Sequence, residues 1–191
     1  MAYWLLVLLG YFIGSFPTAY IFGRKLKGID IRQAGDKNMG ARNAYFEIGH
    51  KAGILIAIID AVKGLLAVLL AKWFHAPESV VLWMGVSCIL GHNFPVFLKF
   101  RGGRGEAVTM GIIIALVPVQ MLIVGPIAIL VLVLFKNMIL TSAVYYVGMV
   151  VTCWIMGVAG LMIFYIIGIA VIVAVTHLVR VISLRRPSGT A

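Results

Sequence analysis

Residues 52–71 read AGILIAIIDAVKGLLAVLLA. The run is unbroken and apolar apart from Asp60 and Lys63. At about 1.5 Å per residue, a helix of this length covers the ~30 Å hydrocarbon core of a bilayer. In lipid the backbone must satisfy its own polar groups, which leaves α-helices or a closed β-barrel. Continuous rather than alternating apolar sequence selects the helix. Asp60 and Lys63 stand at i and i+3, share one helix face and can pair. Burying charge in a bilayer is expensive, so the pair must face protein or a cavity. Two readings stay open. Asp60 and Lys63 form a structural ion pair that ties the span into a bundle, or Lys63 helps to line a site.

Runs of the same kind recur outward in both directions. Residues 2–22 form a first span, which begins too near the terminus for a basic signal-peptide head and shows no cleavage site. Residues 79–95 form a third span. Apolar sequence from 107 to 135 is too long for one ordinary crossing, and Pro118 divides it into a short helix over 107–116 and a second over 118–135. Residues 139–179 again hold two spans, with the turn at Gly157 and Gly160. The expected fold is an all-α polytopic transmembrane bundle of seven spans, one domain over residues 1–191. The chain is 63% hydrophobic and only 12% charged. A soluble protein of this size needs far more polar surface.

The 16 Lys and Arg against 6 Asp and Glu fix the orientation. Seven basic residues (Arg24, Lys25, Lys27, Arg32, Lys37, Arg42 and Lys51) lie between the first two spans. With seven spans, that segment, the 99–106 loop, Lys136 and the tail with Arg180, Arg185 and Arg186 share one side, and Lys72 faces the other. The positive-inside rule then puts the N-terminus outside and the C-terminus in the cytoplasm. So little aqueous surface excludes a nucleic-acid partner, and the charge points to membrane lipids and anionic substrates. Cys88 and Cys153 sit in apolar runs and read as small hydrophobes rather than a disulfide.

The basic loops carry more than topology. Residues 35–43 read Gly-Asp-Lys-Asn-Met-Gly-Ala-Arg-Asn, and residues 99–105 read Lys-Phe-Arg-Gly-Gly-Arg-Gly. Glycines allow sharp turns that expose consecutive N–H groups, and such nests bind anions. Arg42, Arg101 and Arg104 add forked, charged donors suited to phosphate. If Gly105 opens the following helix, the amides of that helix point to the same place. The plain alternative is that the glycines only turn the chain and the basic residues only obey topology. Neither loop has Walker A spacing.

Between them, Gly91-His92-Asn93-Phe94-Pro95 ends the third span, where Pro95 breaks the helix. A proton shuttle, a phosphate contact and simple helix-end hydrogen bonding all suit His92. Ser15, two residues before Pro17, bonds to backbone or reaches substrate. His177 and Arg180 repeat the i, i+3 spacing on the last span, and His50 and His75 read as loop residues. There is no metal-ligand cluster and no nucleophile elbow or triad. Physically, the chain is a membrane enzyme or carrier that holds anionic headgroups at the cytoplasmic interface.

The motifs occur in a characteristic order. They are Gly14-Ser15-Phe16-Pro17, Gly28-Ile29-Asp30-Ile31-Arg32, Asn38-Met39-Gly40-Ala41-Arg42-Asn43, Lys51-Ala52-Gly53, Asp60-Ala61-Val62-Lys63-Gly64, and the stretch from Gly91 to Gly105. With them the chain resembles the bacterial membrane acyltransferases that use acyl phosphate to acylate glycerol 3-phosphate. The match is strong over residues 10–110. The family usually has Gly-Ser-Gly-Asn where this chain has Gly35-Asp36-Lys37-Asn38. Its threonine is Arg42, its arginine is Phe46, its glycine-loop lysine is Arg104, and the valine after that loop is Glu106. The family's third motif is scarcely present in 136–142, and its His-Arg-x-Asn tail is here His177-Leu178-Val179-Arg180.

The resemblance implies that an acceptor hydroxyl attacks the acyl-phosphate carbonyl, giving lysophosphatidate and phosphate for phospholipid synthesis, without a cofactor or metal. On physical grounds the catalytic roles go to Asn38, Arg42, His92 and Arg104, with Arg42 supplying from a new position the cation that the family has where Phe46 stands. Substrate contacts follow for Gly40, Asn43, Arg101, Gly102, Gly103, Gly105, Ser15, Lys63 and His177, with Asp60 and Pro95 structural. The expected partners are acyl phosphate, glycerol 3-phosphate or a related anionic acceptor, and membrane lipids, for a monomeric protein in the cell inner membrane. A non-catalytic or altered-acceptor paralogue and an anion or headgroup carrier are the competing readings.

Overall fold

The structure, a computed structural model, describes residues 2–185, so Arg186 and the C-terminal end lie outside the described residues. The described residues are helical throughout, in two compact units: residues up to Pro118, and residues from Val119 onward.

In the first unit the expected 2–22 span is two helices, α1 (Trp4–Ser15) and α2 (Thr18–Lys27). Phe16 is extended between them, and Pro17, which has no N–H to donate, heads the second. The second helix runs beyond the apolar run because its last turn carries Arg24, Lys25 and Lys27, cations that suit a helix C-terminus. Gly28, at φ +68°, then closes it in the left-handed region. Next come α3 (Ala41–Glu47), α4 (His50–Trp73), α5 (Glu78–Asn93), a 3-10 turn at Val96–Leu98, and α6 (Glu106–Leu116). The break before Pro118 and the start of a helix at Gly105 fall where the sequence places them.

Close backbone contacts set the packing, as is usual where lipid supplies no hydrophobic drive between helices. A Cβ on Gly14 would strike the Cys88 carbonyl, and one on Gly91 would strike that of Tyr11, so α1 lies directly on α5. Ser87 Oγ donates to the Val7 carbonyl at 2.5 Å and Tyr11 Oη to that of Phe94 at 2.7 Å, so the two helices run in the same direction. Gly64 against Val108 and Gly111 against Ala61 join α4 to α6 in the same way. Lys72 Nζ donates to the Ala115 carbonyl at 2.7 Å, placing a cation on the C-terminal carbonyls of α6.

Six helical segments among the described residues are long and apolar enough to cross a membrane. The expected seventh is α6, whose 11 residues reach only about 17 Å.

The second unit holds α7 (Pro118–Phe135), α8 (Met138–Ile155) and α9 (Gly160–Arg185). Asn137 caps α8 by accepting from the amides of Ile139 and Leu140 at 3.0 and 3.2 Å. Gly157, at φ +67°, makes the turn into α9. Val124, Ala128, Tyr145, Met149, Cys153, Ile166, Ile169 and Val173 are buried.

Candidate active site

The site lies in the first unit and is built from the two glycine-containing loops. The first loop, between α2 and α3, rests on an apolar floor of Ala19, Ile31, Met39, Ala44, Ile48, Ile56 and Leu98. Asp30 and Arg32 lock its start. The Arg32 guanidinium donates Nε to Asp30 Oδ1 at 2.9 Å and Nη2 to Oδ2 at 2.7 Å, and lies over the Tyr20 ring. The fork holds the Asp30 carboxyl below its ordinary value, against an opposing effect of burial, and raises Arg32 in return. A third Arg32 contact, from Nη1 to the Leu98 carbonyl at 3.3 Å, ties the first loop to the second.

Asn43, on the first turn of α3, organises the rest of that loop. Its amide nitrogen donates to the carbonyls of Ile31, Ala34 and Asn38 at 3.0–3.1 Å, and its oxygen accepts from the Asp36 amide at 3.0 Å. This buried side chain is engaged on both ends within the protein. Asp36 Oδ1 in turn accepts from the Asn38 amide at 3.1 Å, an Asx turn that presents the carboxylate.

The second loop folds back on the end of α5. Gly103 N–H donates to the His92 carbonyl at 2.9 Å and Gly102 N–H to that of Asn93 at 3.1 Å. The 102–103 amides therefore cap α5 and do not form the open nest expected of them. The glycines serve close approach. A Cβ on Gly102 would meet His92 O and the Pro95 ring, and one on Gly103 would enter the His92 imidazole. Pro95 is buried, and its carbonyl accepts from the amides of Leu98 and Phe100. Lys99 and Phe100 both have positive φ, at 54° and 60°. Non-glycine residues held there carry strain of about 1–3 kcal/mol each, and the hydrogen bonds on either side maintain it. Arg101 is exposed.

Two charged layers result. In the outer one, Arg104 Nη2 from the second loop and Arg42 Nη1 from the first turn of α3 approach Asp36 Oδ2, at 3.5 and 3.7 Å. Arg104 Nε and Asn38 Oδ1 are buried there without a hydrogen-bond partner. In the inner layer, Asp60 Oδ1 accepts from Lys63 Nζ at 2.6 Å and from Thr18 Oγ1 at 3.2 Å. Lys63 Nζ also donates to the Phe16 carbonyl at 2.7 Å, at the α1–α2 break. His92 Nδ1 lies 3.9 Å from Asp60 Oδ1, while Nε2 of the same ring sits beneath Gly103. Ser15 Oγ donates to the Gly91 carbonyl at 3.3 Å.

The structure thus gathers Asn38, Gly40, Arg42, Asn43 and Arg104 around the outer layer. Ser15, Asp60, Lys63, His92, Pro95 and the glycines lie at or above the inner one. His177 lies on α9 in the second unit. Sequence reading missed the central place of Asp36, whose signal was an acid among the basic residues of the first loop where the family has serine. It also missed Thr18 and the Asp30–Arg32 fork.

Known proteins match the chain over nearly its whole length. A family model described as Glycerol-3-phosphate acyltransferase matches residues 4–186. Glycerol-3-phosphate acyltransferase 4 of Dehalococcoides mccartyi is 40% identical over 176 residues, 92% of this chain and 95% of that one. The Fusobacterium nucleatum glycerol-3-phosphate acyltransferase is 37% identical over 142 residues, 74% of this chain and 73% of its own. Among solved structures, the glycerol 3-phosphate form of PlsY, an integral membrane glycerol 3-phosphate acyltransferase, superposes with a TM-score of 0.84 at 27% identity. That match covers 100% of this chain and 96% of that one. The lysophosphatidic acid form gives 0.79, also at 27% identity, covering 98% and 95%. The sequence motifs, the helical fold and these matches agree: the chain belongs to the glycerol-3-phosphate acyltransferase family.

Proposed function

We propose that the chain transfers a fatty acyl group from acyl phosphate to the hydroxyl of glycerol 3-phosphate, at the cytoplasmic face of the membrane. The observation that carries this reading is the convergence of Arg42, from the start of α3, and Arg104, from the second loop, on a single anionic position. Guanidiniums so placed hold phosphate oxygens and stabilise charge that develops as a phosphate leaves. The relatives are named for the acceptor, and the order of motifs in this chain supports the donor.

In this mechanism the acceptor oxygen attacks the acyl carbonyl, the carbonyl carbon–phosphate oxygen bond breaks, and the departing phosphate takes the proton. Phosphate leaves readily, so no covalent acyl-enzyme is needed. Arg104 and Arg42 hold the phosphoryl group, and Asn38 and Gly40 orient it or the developing oxyanion. Arg101 and the amides at the start of α6 after Gly105 add positive potential. His92 is a positioning residue, supporting Gly103 from below, with Asp60 and Lys63 anchoring it. Asn43 acts by shaping the loop that carries Asp36 and Asn38.

The same reading counts α6 as a short seventh crossing. It lies along α4 and ends against Lys72, and its missing length is taken up by the glycine loop dipping in from the cytoplasmic side. The N-terminus is then outside, and the cations of both loops are inside.

The test uses purified protein in detergent or lipid with acyl phosphate and glycerol 3-phosphate, following phosphate release and lipid product together. Arg104→Ala and Asn38→Ala each abolish product while the folded state is kept. Absence of acceptor-dependent turnover in a folded wild-type sample overturns the reading.

A further inference from the structure

We infer that Asp36 is a resident counter-anion, sharing the Arg42 and Arg104 guanidiniums with an incoming substrate phosphate, and that it sets how tightly phosphate-bearing ligands bind. This rests on the phosphate-binding reading of the Arg42–Arg104 site.

The two oxygens of this carboxylate do different jobs. Oδ1 is anchored by the Asn38 amide at 3.1 Å, and the Asp36 amide is itself held by Asn43 at 3.0 Å. The carboxylate cannot drift away from the loop. Oδ2 is the oxygen that both guanidiniums approach, at 3.5 Å from Arg104 and 3.7 Å from Arg42. Those separations exceed the roughly 2.7–2.9 Å of a formed charge-assisted hydrogen bond. Asp30 and Arg32 show what such a bond looks like in this same loop, at 2.7 Å. The contrast is one of function. The Asp30 carboxylate is nearly covered and its partner is locked, whereas Asp36 is 27% and Arg42 50% exposed at the side chain. The outer pair is charged, near and loose, as an exchangeable contact must be.

Without Asp36, two guanidiniums would face each other across an empty position and splay apart. With it, they stay converged, and one of their two charges is neutralised. An incoming phosphate offers more oxygens and more charge, and it takes the guanidinium donors from Oδ2. Because Oδ1 stays anchored, the carboxylate remains beside the phosphate and opposes it. Asp36 therefore keeps the site ordered but lowers its affinity for anions. The phosphate can be that of the acyl donor, the acceptor or the released product. These share one chemistry, and separate measurements distinguish them.

The test compares wild type with Asp36→Asn, which keeps the oxygen that accepts from Asn38, and with Asp36→Ser, which keeps a shorter acceptor. Binding of inorganic phosphate is measured directly by equilibrium dialysis on folded protein, independent of turnover. KM for acyl phosphate and for glycerol 3-phosphate are then measured one at a time. Inorganic phosphate binds about fivefold more tightly to either variant, as loss of two long contacts, one half-exposed and one part-buried, implies. KM for the substrate whose phosphate displaces Asp36 falls by a similar factor. Phosphate binding that is unchanged or weaker in the variants overturns the inference. So does a KM that rises for both substrates. A wild type that binds phosphate in this Asp36-dependent way but never transfers an acyl group overturns the proposed reaction and leaves the counter-anion standing.

Discussion

Removing the Lys63 ammonium alone, by Lys63→Met, leaves Asp60 charged inside the protein with Thr18 as its remaining close donor. The side chains of Lys63 and Asp60 are only 7% and 2% exposed. At 2.6 Å, and with an effective dielectric constant near 20, their gross attraction is about 6 kcal/mol. Most of that is offset by the desolvation of both charges. The two are not symmetric on mutation: truncating one partner keeps the desolvation of the other and loses the attraction. Single truncation of a buried pair destabilises by about 3–5 kcal/mol, while replacing both members with apolar residues is close to neutral. For a chain of this length that corresponds to a fall of roughly 6–20 °C in Tm. Thermal unfolding in detergent, followed by tryptophan fluorescence, measures it. Lys63→Met falls in that range, and Asp60→Leu/Lys63→Met recovers most of the loss. A single variant within about 2 °C of wild type refutes the buried-pair argument. A double variant as unstable as the single one refutes it as well.

Three further outcomes follow from the loops. Gly103→Ala puts a methyl group into the His92 imidazole, so acyl transfer falls by at least about tenfold, with a smaller loss of Tm, in a phosphate-release assay paired with thermal unfolding. Asn43→Ala removes the donor to three carbonyls and the acceptor for Asp36, so the first loop loses about 2–4 kcal/mol; hydrogen exchange over residues 31–40 accelerates before global unfolding does. The Asp30 carboxyl, held below its ordinary value of 3.8 by Arg32, stabilises the fold fully above that value and loses the contribution as pH falls through its lowered value. An Asp30→Asn variant therefore shows a smaller loss of Tm than wild type between pH 5 and about pH 3.

How much of this was legible in the residues follows from the length scale of each feature. The long helices announce themselves because twenty apolar residues have no soluble alternative, and the divisions at Pro118 and Gly157 follow from backbone chemistry. The first span is broken because Pro17 cannot donate a ladder hydrogen bond, a fact the apolar count from 2 to 22 conceals. Helix α3 stayed hidden because seven residues are too few to show a period. The glycine loops were recognised as special, but their role was misread. Glycine at 102 and 103 satisfies both an open amide nest and a close approach to a helix end, and only the partner identifies which. Here the partners are the carbonyls of His92 and Asn93. Asp36 is the sharpest case, since in sequence it reads only as a carboxylate in place of the family's serine until arginines from α3 and from the second loop are seen to meet it.

On the proposed reading, the arrangement also gives a reason for charges buried well below the loops. Arg104 has to be held at a fixed depth, yet the loop before it contains two residues at positive φ and two glycines that contribute no side-chain packing. Its rigidity must come from beneath. Gly103 rests on His92, His92 faces Asp60, and Asp60 is fixed by Lys63, which reaches the carbonyl at the α1–α2 break. The chain of contacts joins the loop to four helices. A hydrophobic floor would support the loop from one side, whereas the hydrogen bonds from the Gly102 and Gly103 amides to the Asn93 and His92 carbonyls fix its height and rotation together. The inner layer is tight at the ammonium, with contacts of 2.6 and 2.7 Å, although His92 stands 3.9 Å from Asp60, and the outer layer is loose, with 3.5 and 3.7 Å at the carboxylate. Rigidity where nothing is exchanged, and looseness where an anion must enter and leave, is the division of labour that turnover of a charged substrate requires.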